Sequence, residues 1–145
     1  MIRALVFLLG AGPALFAGPV QAWEFSPTPV CTITHAEGGA QVDLTFDHAT
    51  ALYTIAVTTV EPWPAAPVFS IRFAGPQPNT ISTTRHATQA RTLTVTDGGF
   101  GNVLDGLEFN TSATAFTQTA AVTVSLEGAA EPVQRFRACT TTPVA

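Results

Sequence analysis

Acidic oxygens and glycines are concentrated in one short segment, residues 97–102 (DGGFGN), and Asp105 follows closely. Carboxylate and amide oxygens on a glycine-rich turn are the ligands that Ca²⁺ takes in proteins. The spacing of Asp97 and Asp105 does not match an EF-hand loop, and no Lys-Ser/Thr pair follows the glycines to make a phosphate-binding loop. We therefore favour a structural turn in which the glycines adopt positive φ, with Ca²⁺ binding as the alternative.

A histidine upstream could turn the same carboxylates into a catalytic site. A small hydrolase or metal-dependent enzyme would need His86 beside Asp97 and Asp105 for acid–base work. Against this, the sequence contains neither Gly-x-Ser-x-Gly nor His-Glu-x-x-His, and its three histidines have no metal-ligand spacing. The sequence therefore predicts no catalytic residue, no metal ligand and no cofactor. It leaves four possible binding residues in this region: Arg85, His86, Asp97 and Asp105.

A tryptophan stands within a proline-rich segment, residues 61–67 (EPWPAAP). Three prolines remove backbone donors and fix φ, which predicts a stiff extended loop. Exposed aromatic side chains on such loops bind partner proteins or glycans, so an adhesion or inhibitor module that uses Trp63 is one hypothesis. The alternative, which we favour, is that Trp63 closes an open end of the fold, as Trp23 and Phe25 would also do.

The N-terminal segment has the features of a secretory signal peptide. Arg3 precedes a short apolar run, residues 4–9 (ALVFLL), and small residues fit the −3 and −1 positions of a cut after Ala22. An apolar run this short cannot span a bilayer. We therefore expect residues 1–22 to be removed, which leaves 23–145 as a single domain in the periplasm or outside the cell, with no transmembrane segment.

The charge balance excludes some classes of partner. The predicted mature chain has five arginines, ten acidic residues and no lysine, a formal net charge of −5. An acidic domain with scattered arginines has no electrostatic footprint for nucleic acid, and anionic membranes repel it. An envelope protein or a glycan remains as the expected partner.

The chain has two cysteines, Cys31 and Cys139, one near each end of the predicted mature protein. Two cysteines in an exported chain predict a disulfide. The bridge would close a loop of roughly 108 residues and contribute about 4–5 kcal/mol in the chain-entropy model. Neither cysteine has a histidine at a motif spacing, so a nucleophilic thiol is not expected.

Alternating apolar and polar residues, separated by turn residues, predict strands. The pattern predicts about eight strands, at residues 30–34, 42–46, 53–58, 68–73, 81–84, 93–96, 109–116 and 121–126. It also predicts a connection at residues 85–90 and a helical turn at 102–108. Residues 130–138 predict a helix with Pro132 in its first turn and with Val133 and Phe136 packing inward. We expect a mainly antiparallel β-sandwich or small barrel with a short C-terminal helix.

Three segments resemble a known group of proteins. They are residues 23–31 (WEFSPTPVC), 81–86 (ISTTRH) and 93–109 (LTVTDGGFGNVLDGLEF), and they resemble small exported alphaproteobacterial proteins of unknown function. Such proteins are often named after the helicase component of the DNA-repair excinuclease ABC, but that activity requires a phosphate-binding loop with a lysine, and this chain has no lysine. Residues 122–130 and the helix after them look like the invasion-associated locus B family, which implies an exported β-sandwich without assigned catalysis.

These observations predict an exported, non-enzymatic binding or envelope-associated module of the periplasm. The signal peptide, the threonine-rich strands and the lack of a catalytic motif carry this prediction. One alternative is a small hydrolase or metal-dependent enzyme that uses the Asp97–Asp105 loop and His86. The other is an adhesion or inhibitor module that uses the proline-rich loop around Trp63.

Overall fold

Runs of alternating apolar and threonine residues form most of the strands. The computed structural model describes residues 21–142. These residues form ten strands and two helices, in the order β1 (Gln21–Ser26), β2 (Cys31–Glu37), β3 (Ala40–Asp47), β4 (Leu52–Thr58), β5 (Phe69–Ala74), β6 (Asn79–Thr83), β7 (His86–Gln89), β8 (Thr92–Asp97), α1 (Gly101–Phe109), β9 (Ser112–Phe116), β10 (Ala121–Ser125) and α2 (Ala130–Thr141).

The strands form two sheets in which every neighbouring pair is antiparallel. The larger sheet has the order β1-β2-β3-β4-β8-β7, and the smaller sheet has the order β10-β9-β5-β6. Val42 and Ile55 of the larger sheet line the same small central void as Ile71 and Phe73 of the smaller sheet, so the two sheets face each other across the core. The predicted antiparallel β-sandwich is confirmed.

Strand β3 illustrates how the sequence pattern places one face in the core. Val42, Leu44 and Phe46 are at most 8 % exposed, whereas Asp43 and Thr45 lie between them on the outer face and are half-buried. Successive side chains of a strand point to opposite faces of its sheet, so an apolar residue at every second position creates one buried face. The threonines make the opposite face polar without adding charge.

Helix α2 packs against β1 and β2 of the larger sheet. Its Val133 and Phe136 are completely buried, in agreement with the predicted inward face. Cys139 forms a disulfide with Cys31 at the start of β2, and the two Cα atoms are 6.0 Å apart, so the predicted disulfide is confirmed. His48 donates a hydrogen bond from Nε2 to the carbonyl of Cys139 at 3.0 Å, which adds a second link between the helix and the larger sheet.

Helix α1 lies beside α2 and closes part of the core. Arg137 of α2 binds carboxylates of α1, donating to Asp105 at 2.6 Å and to Glu108 at 2.9 Å. Gly106 lies directly on the ring of Phe73, and a Cβ atom at this position would overlap that ring. The absence of a side chain at Gly106 therefore lets α1 pack closely on β5. The other buried residues of the helix are Val103, Leu104 and Leu107.

We predict that Gly106→Ala destabilises the protein, although alanine favours a helix by about 1 kcal/mol over glycine. The added methyl group would overlap three atoms of the Phe73 ring, which puts the cost of overpacking at about 2–3 kcal/mol, the upper end of the usual range. After the gain in helix propensity, we expect a net loss of about 1–2 kcal/mol in the free energy of unfolding. Urea denaturation measures this loss. Gly101→Ala is the matched control, because a Cβ there meets no atom within 4 Å. Equal stability of the two variants would contradict the prediction.

Two strands were not predicted from the sequence. Residues 85–90 were interpreted as a connection, but His86–Gln89 forms β7, which pairs with β8 at one edge of the larger sheet. Its sequence, HATQ, has no alternating apolar pattern, because three of its four residues are exposed and need no apolar side chain. Strand β1 was missed because its start overlaps the predicted signal peptide. Phe109 was assigned to a strand and instead ends α1, since the strand after it covers only Ser112–Phe116.

The predicted signal peptide, residues 1–22, lies outside the described residues except for Gln21 and Ala22, which begin β1. Within residues 21–142, neither helix has the length and apolar character required to cross a bilayer. After the predicted cleavage, Trp23–Ser26 would remain as the first strand of the larger sheet.

Candidate functional site

A cleft of about 530 Å³ opens between the two sheets, next to the start of α1. It is lined by residues of β4, β5, β6 and β8, by the β6–β7 connection and by the segment that enters α1. We call it the inter-sheet cleft. Its lining residues are Ile55, Phe69, Ile71, Ile81, Ser82, Thr83, Arg85, Val95, Asp97, Gly99, Phe100, Gly101, Asn102 and Val103.

The floor of the inter-sheet cleft is apolar and belongs to the core. Phe69 and Ile71 of the smaller sheet and Ile55 of the larger sheet are each at most 7 % exposed. Ile81 and Val95 are only partly buried, and they pack against the core cluster from the two sides of the cleft. The cleft therefore offers apolar surface that no residue of the described chain covers completely.

The rim of the inter-sheet cleft is polar and carries two charged side chains. Arg85 follows β6, and its backbone N–H donates to Thr83 Oγ1 at 3.0 Å. Asp97 ends β8, and its Oδ1 accepts a hydrogen bond from the backbone N–H of Gly98 at 2.6 Å. Within residues 21–142, neither the Arg85 guanidinium nor the Asp97 carboxylate takes part in an ion pair. Both charged groups are exposed and face the cleft.

The glycine-rich segment closes one end of the cleft as a turn into α1. Phe100 precedes the helix, and its ring lies 5.4 Å from that of Tyr53, which fixes the entry to the helix against β4. The expectation of positive φ at these glycines is wrong, because Gly98, Gly99 and Gly101 all lie outside that region. The turn is instead held by the Asp97 side chain and by burial of Phe100, which is 5 % exposed.

The structure does not bring the predicted catalytic residues together by hydrogen bonds. Asp105 is held by Arg137 on the surface between the helices, and it does not line the inter-sheet cleft with Asp97. His86 donates from Nε2 to the carbonyl of Ala66 at 2.7 Å. Within the described part of the chain, no three His, Cys, Asp or Glu side chains are grouped closely enough to hold a metal ion.

The hydrogen bond to Ala66 places a proton on Nε2 of His86, because a carbonyl oxygen can only accept. Nδ1 is buried and has no partner among the described residues, and the ring lies 6.1 Å from that of Phe69. His86 thus packs beside the core and does not line the cleft, which separates it from Arg85 at the preceding position.

Trp63 is buried, so the hypothesis of an exposed binding aromatic is wrong for this residue. Its side chain is 6 % exposed, its Nε1 donates to the carbonyl of Val57 at 3.0 Å, and its ring meets Phe69 edge-on at 6.1 Å. The indole belongs to the packed core, where it contacts Val57 and Phe69. Trp23 is buried in the same way, with a hydrogen bond from Nε1 to the carbonyl of Ser125.

A second opening of about 410 Å³ lies among the loops at residues 38–40, 59–63 and 119–122. Its only ionisable lining residue is Glu61, and its most exposed apolar residue is Val60, at 64 %. It lies mostly among loops and has no cation in its lining, whereas the inter-sheet cleft combines a cation and an anion with residues of both sheets. The inter-sheet cleft is therefore the better candidate for a binding site.

Sequence reasoning singled out Arg85 and Asp97 but missed most of the cleft. Ile81 and Val95 were assigned to strands, and alternation alone predicts that such residues are covered. Ser82 and Thr83 were assigned to a strand, and Asn102 was noted only as part of the glycine-rich segment and of the predicted helical turn. Comparison with protein-family models, with curated proteins and with solved structures finds no match to this chain. The two family resemblances therefore stay predictions.

Proposed function

We propose that this chain is an exported, non-enzymatic binding protein that takes a small amphipathic molecule into the inter-sheet cleft. The observation that carries the proposal is a cleft of about 530 Å³ with an apolar floor and a polar rim. Sites for small molecules typically measure roughly 300–1,000 Å³, and they combine mostly apolar walls with a few polar groups that orient the ligand. Phe69, Ile71 and Ile55 supply such walls here.

The chemistry of the cleft favours binding over catalysis. The ionisable side chains that line it are Arg85 and Asp97. General acid–base catalysis needs a donor or acceptor within hydrogen-bond reach of the reacting group, and the nearest candidate along the chain, His86, is engaged with the Ala66 carbonyl. We therefore rank the hydrolase alternative below a binding role, and we expect a bound ligand to be recovered unchanged.

Export is supported by the N-terminal sequence together with the Cys31–Cys139 disulfide. Disulfides persist in oxidising compartments such as the periplasm and the extracellular space. An envelope-associated role, with an envelope protein or a glycan as partner, remains compatible with this location. The burial of Trp63 removes the aromatic group on which an adhesion or inhibitor function would have relied.

Filling the inter-sheet cleft is expected to abolish binding of an apolar probe. Val95→Trp would place an indole in the cleft, whereas Thr94→Trp would place the same group on the outer face of the same strand. We expect the uncharged fluorescent dye Nile red to bind the wild-type protein and the Thr94→Trp variant, and to bind Val95→Trp at least about tenfold more weakly. Fluorescence titration measures the three affinities.

Both variants must be folded for this comparison, which circular dichroism and thermal unfolding establish. If Val95→Trp does not fold, Thr83→Phe provides a second way to fill the cleft, because Thr83 lines it from the smaller sheet. Equal dye affinity in the wild-type protein and in a folded, filled variant would overturn the proposal.

A further inference from the structure

The inter-sheet cleft carries one cation and one anion that do not neutralise each other. Arg85 lies in the connection between the two sheets, and Asp97 lies at the end of β8. Within residues 21–142, no ion pair of 4.0 Å or less involves either residue. Arg137, in contrast, binds two carboxylates at once on the other side of α1. The two unpaired charges are therefore available to a ligand.

Because the two charges lie beside apolar walls, a ligand gains more binding free energy from them than it would on an open surface. Exposed ion pairs contribute little in water, because solvent screens the charges. A ligand that covers Ile81 and Val95 would exclude water from the cleft, and the attraction between opposite charges rises as the local dielectric constant falls. Hydrogen bonds between an ionised donor and an ionised acceptor are also the strong ones.

The overall charge of the protein argues against a ligand that carries only one sign. The predicted mature chain has a formal net charge of −5, so its field repels a simple organic anion. A simple organic cation would be attracted to Asp97, but it would bring its charge close to Arg85. A molecule that carries both a positive and a negative charge avoids both penalties, and it can pair with Asp97 and Arg85 at the same time.

Resting on the proposed function of the cleft, we propose that its ligand is a zwitterionic amphipath: a molecule with a free ammonium group, a free carboxylate and an apolar side chain. Arg85 binds the carboxylate through its guanidinium fork, and Asp97 accepts hydrogen bonds from the ammonium group. The apolar side chain packs on Ile71, Ile81 and Val95. Apolar amino acids and short apolar peptides share this chemistry.

The distance between the two ligand charges distinguishes these two sources. In an amino acid the ammonium group and the carboxylate flank one carbon atom, whereas in a dipeptide they lie at opposite ends of the molecule. Arg85 and Asp97 belong to different elements and form no ion pair with each other, so the two ligand charges must contact two separate points of the rim, which the ends of a dipeptide do more readily. We therefore expect leucyl-leucine to bind more tightly than leucine.

Isothermal titration calorimetry with capped peptides tests this inference. We expect N-acetyl-leucyl-leucine and leucyl-leucine amide each to bind the wild-type protein about tenfold more weakly than leucyl-leucine, because each has lost one charge-assisted contact. In Arg85→Gln the amide should bind as well as the free acid, and in Asp97→Asn the acetylated peptide should bind as well as the free amine. Arg91→Gln and Asp43→Asn are matched controls outside the cleft, and they should retain both preferences.

The possible outcomes separate this inference from the proposed function. If the dye binds in the cleft but leucyl-leucine does not bind, or binds no better than its capped forms, the ligand class is wrong and the binding role stands. If both Arg85→Gln and Asp97→Asn still prefer leucyl-leucine over its capped forms, other residues bind the ammonium group and the carboxylate, and the inference is overturned. If filling the cleft leaves dye binding unchanged, the proposed function fails together with the inference.

Discussion

Removal of the Cys31–Cys139 disulfide is expected to lower the free energy of unfolding by about 4–5 kcal/mol. The bridge joins residues 108 positions apart, so it restricts the unfolded chain strongly. It also attaches α2 to β2, next to the fully buried Phe136. Urea denaturation of the Cys31→Ala/Cys139→Ala variant, compared with the oxidised wild-type protein, measures the loss.

A second comparison separates the cross-link from the packing of the sulfur atoms. Cys31 is 1 % exposed, so alanine at this position also removes buried contacts. Wild-type protein reduced with dithiothreitol keeps both sulfur atoms and loses only the bond. Small domains are stable by about 5–15 kcal/mol in total, so reduction should remove roughly a quarter or more of the free energy of unfolding and lower the denaturation midpoint clearly. A denaturation midpoint that does not change on reduction would contradict the prediction.

The second large effect is expected at Trp23, the first residue of the predicted mature chain. Trp23→Ala should lower the free energy of unfolding by about 3–5 kcal/mol, which is typical when a large buried aromatic side chain is removed. The indole is 4 % exposed, stacks on His35 with ring centroids 4.4 Å apart, and donates to the carbonyl of Ser125. Thermal and urea unfolding of the variant measure the effect.

Glu24→Ala is the matched control for Trp23→Ala, because Glu24 is exposed on the same strand. We expect it to change stability by less than about 0.5 kcal/mol, as is usual for surface substitutions. The Ser125 carbonyl loses its donor in Trp23→Ala, while the Ser125 N–H keeps its hydrogen bond to Glu37 Oε1 at 3.0 Å. Equal stability of the two variants would show that β1 does not anchor the core.

Local pattern predicted the elements whose faces are clearly divided between core and solvent. Strand β3 alternates along its length, and α2 places Val133 and Phe136 three residues apart on one face. These features depend on neighbours in the sequence, and so they can be recognised without a structure. The disulfide followed from there being two cysteines in a chain that carries the features of an export signal.

Features that depend on contacts between distant segments could not be predicted in this way. Strand β7 exists because it pairs with β8, although its own residues are mostly exposed. The inter-sheet cleft is a gap between two sheets of unequal width, and no residue pattern encodes a volume that side chains fail to fill.

The bond between the two cysteines also determines how the molecule responds to mechanical load. A force applied to the chain before Cys31 and after Cys139 passes directly through the sulfur atoms, so strands β2 to β10 lie off the path that carries tension, whereas β1, which precedes Cys31, stays on it. Pulling would extend the enclosed chain only after chemical reduction, by roughly 350–390 Å for a separation of 108 residues at ~3.3–3.6 Å per residue. Tethered by its two ends, the oxidised protein would keep its cleft intact under tension.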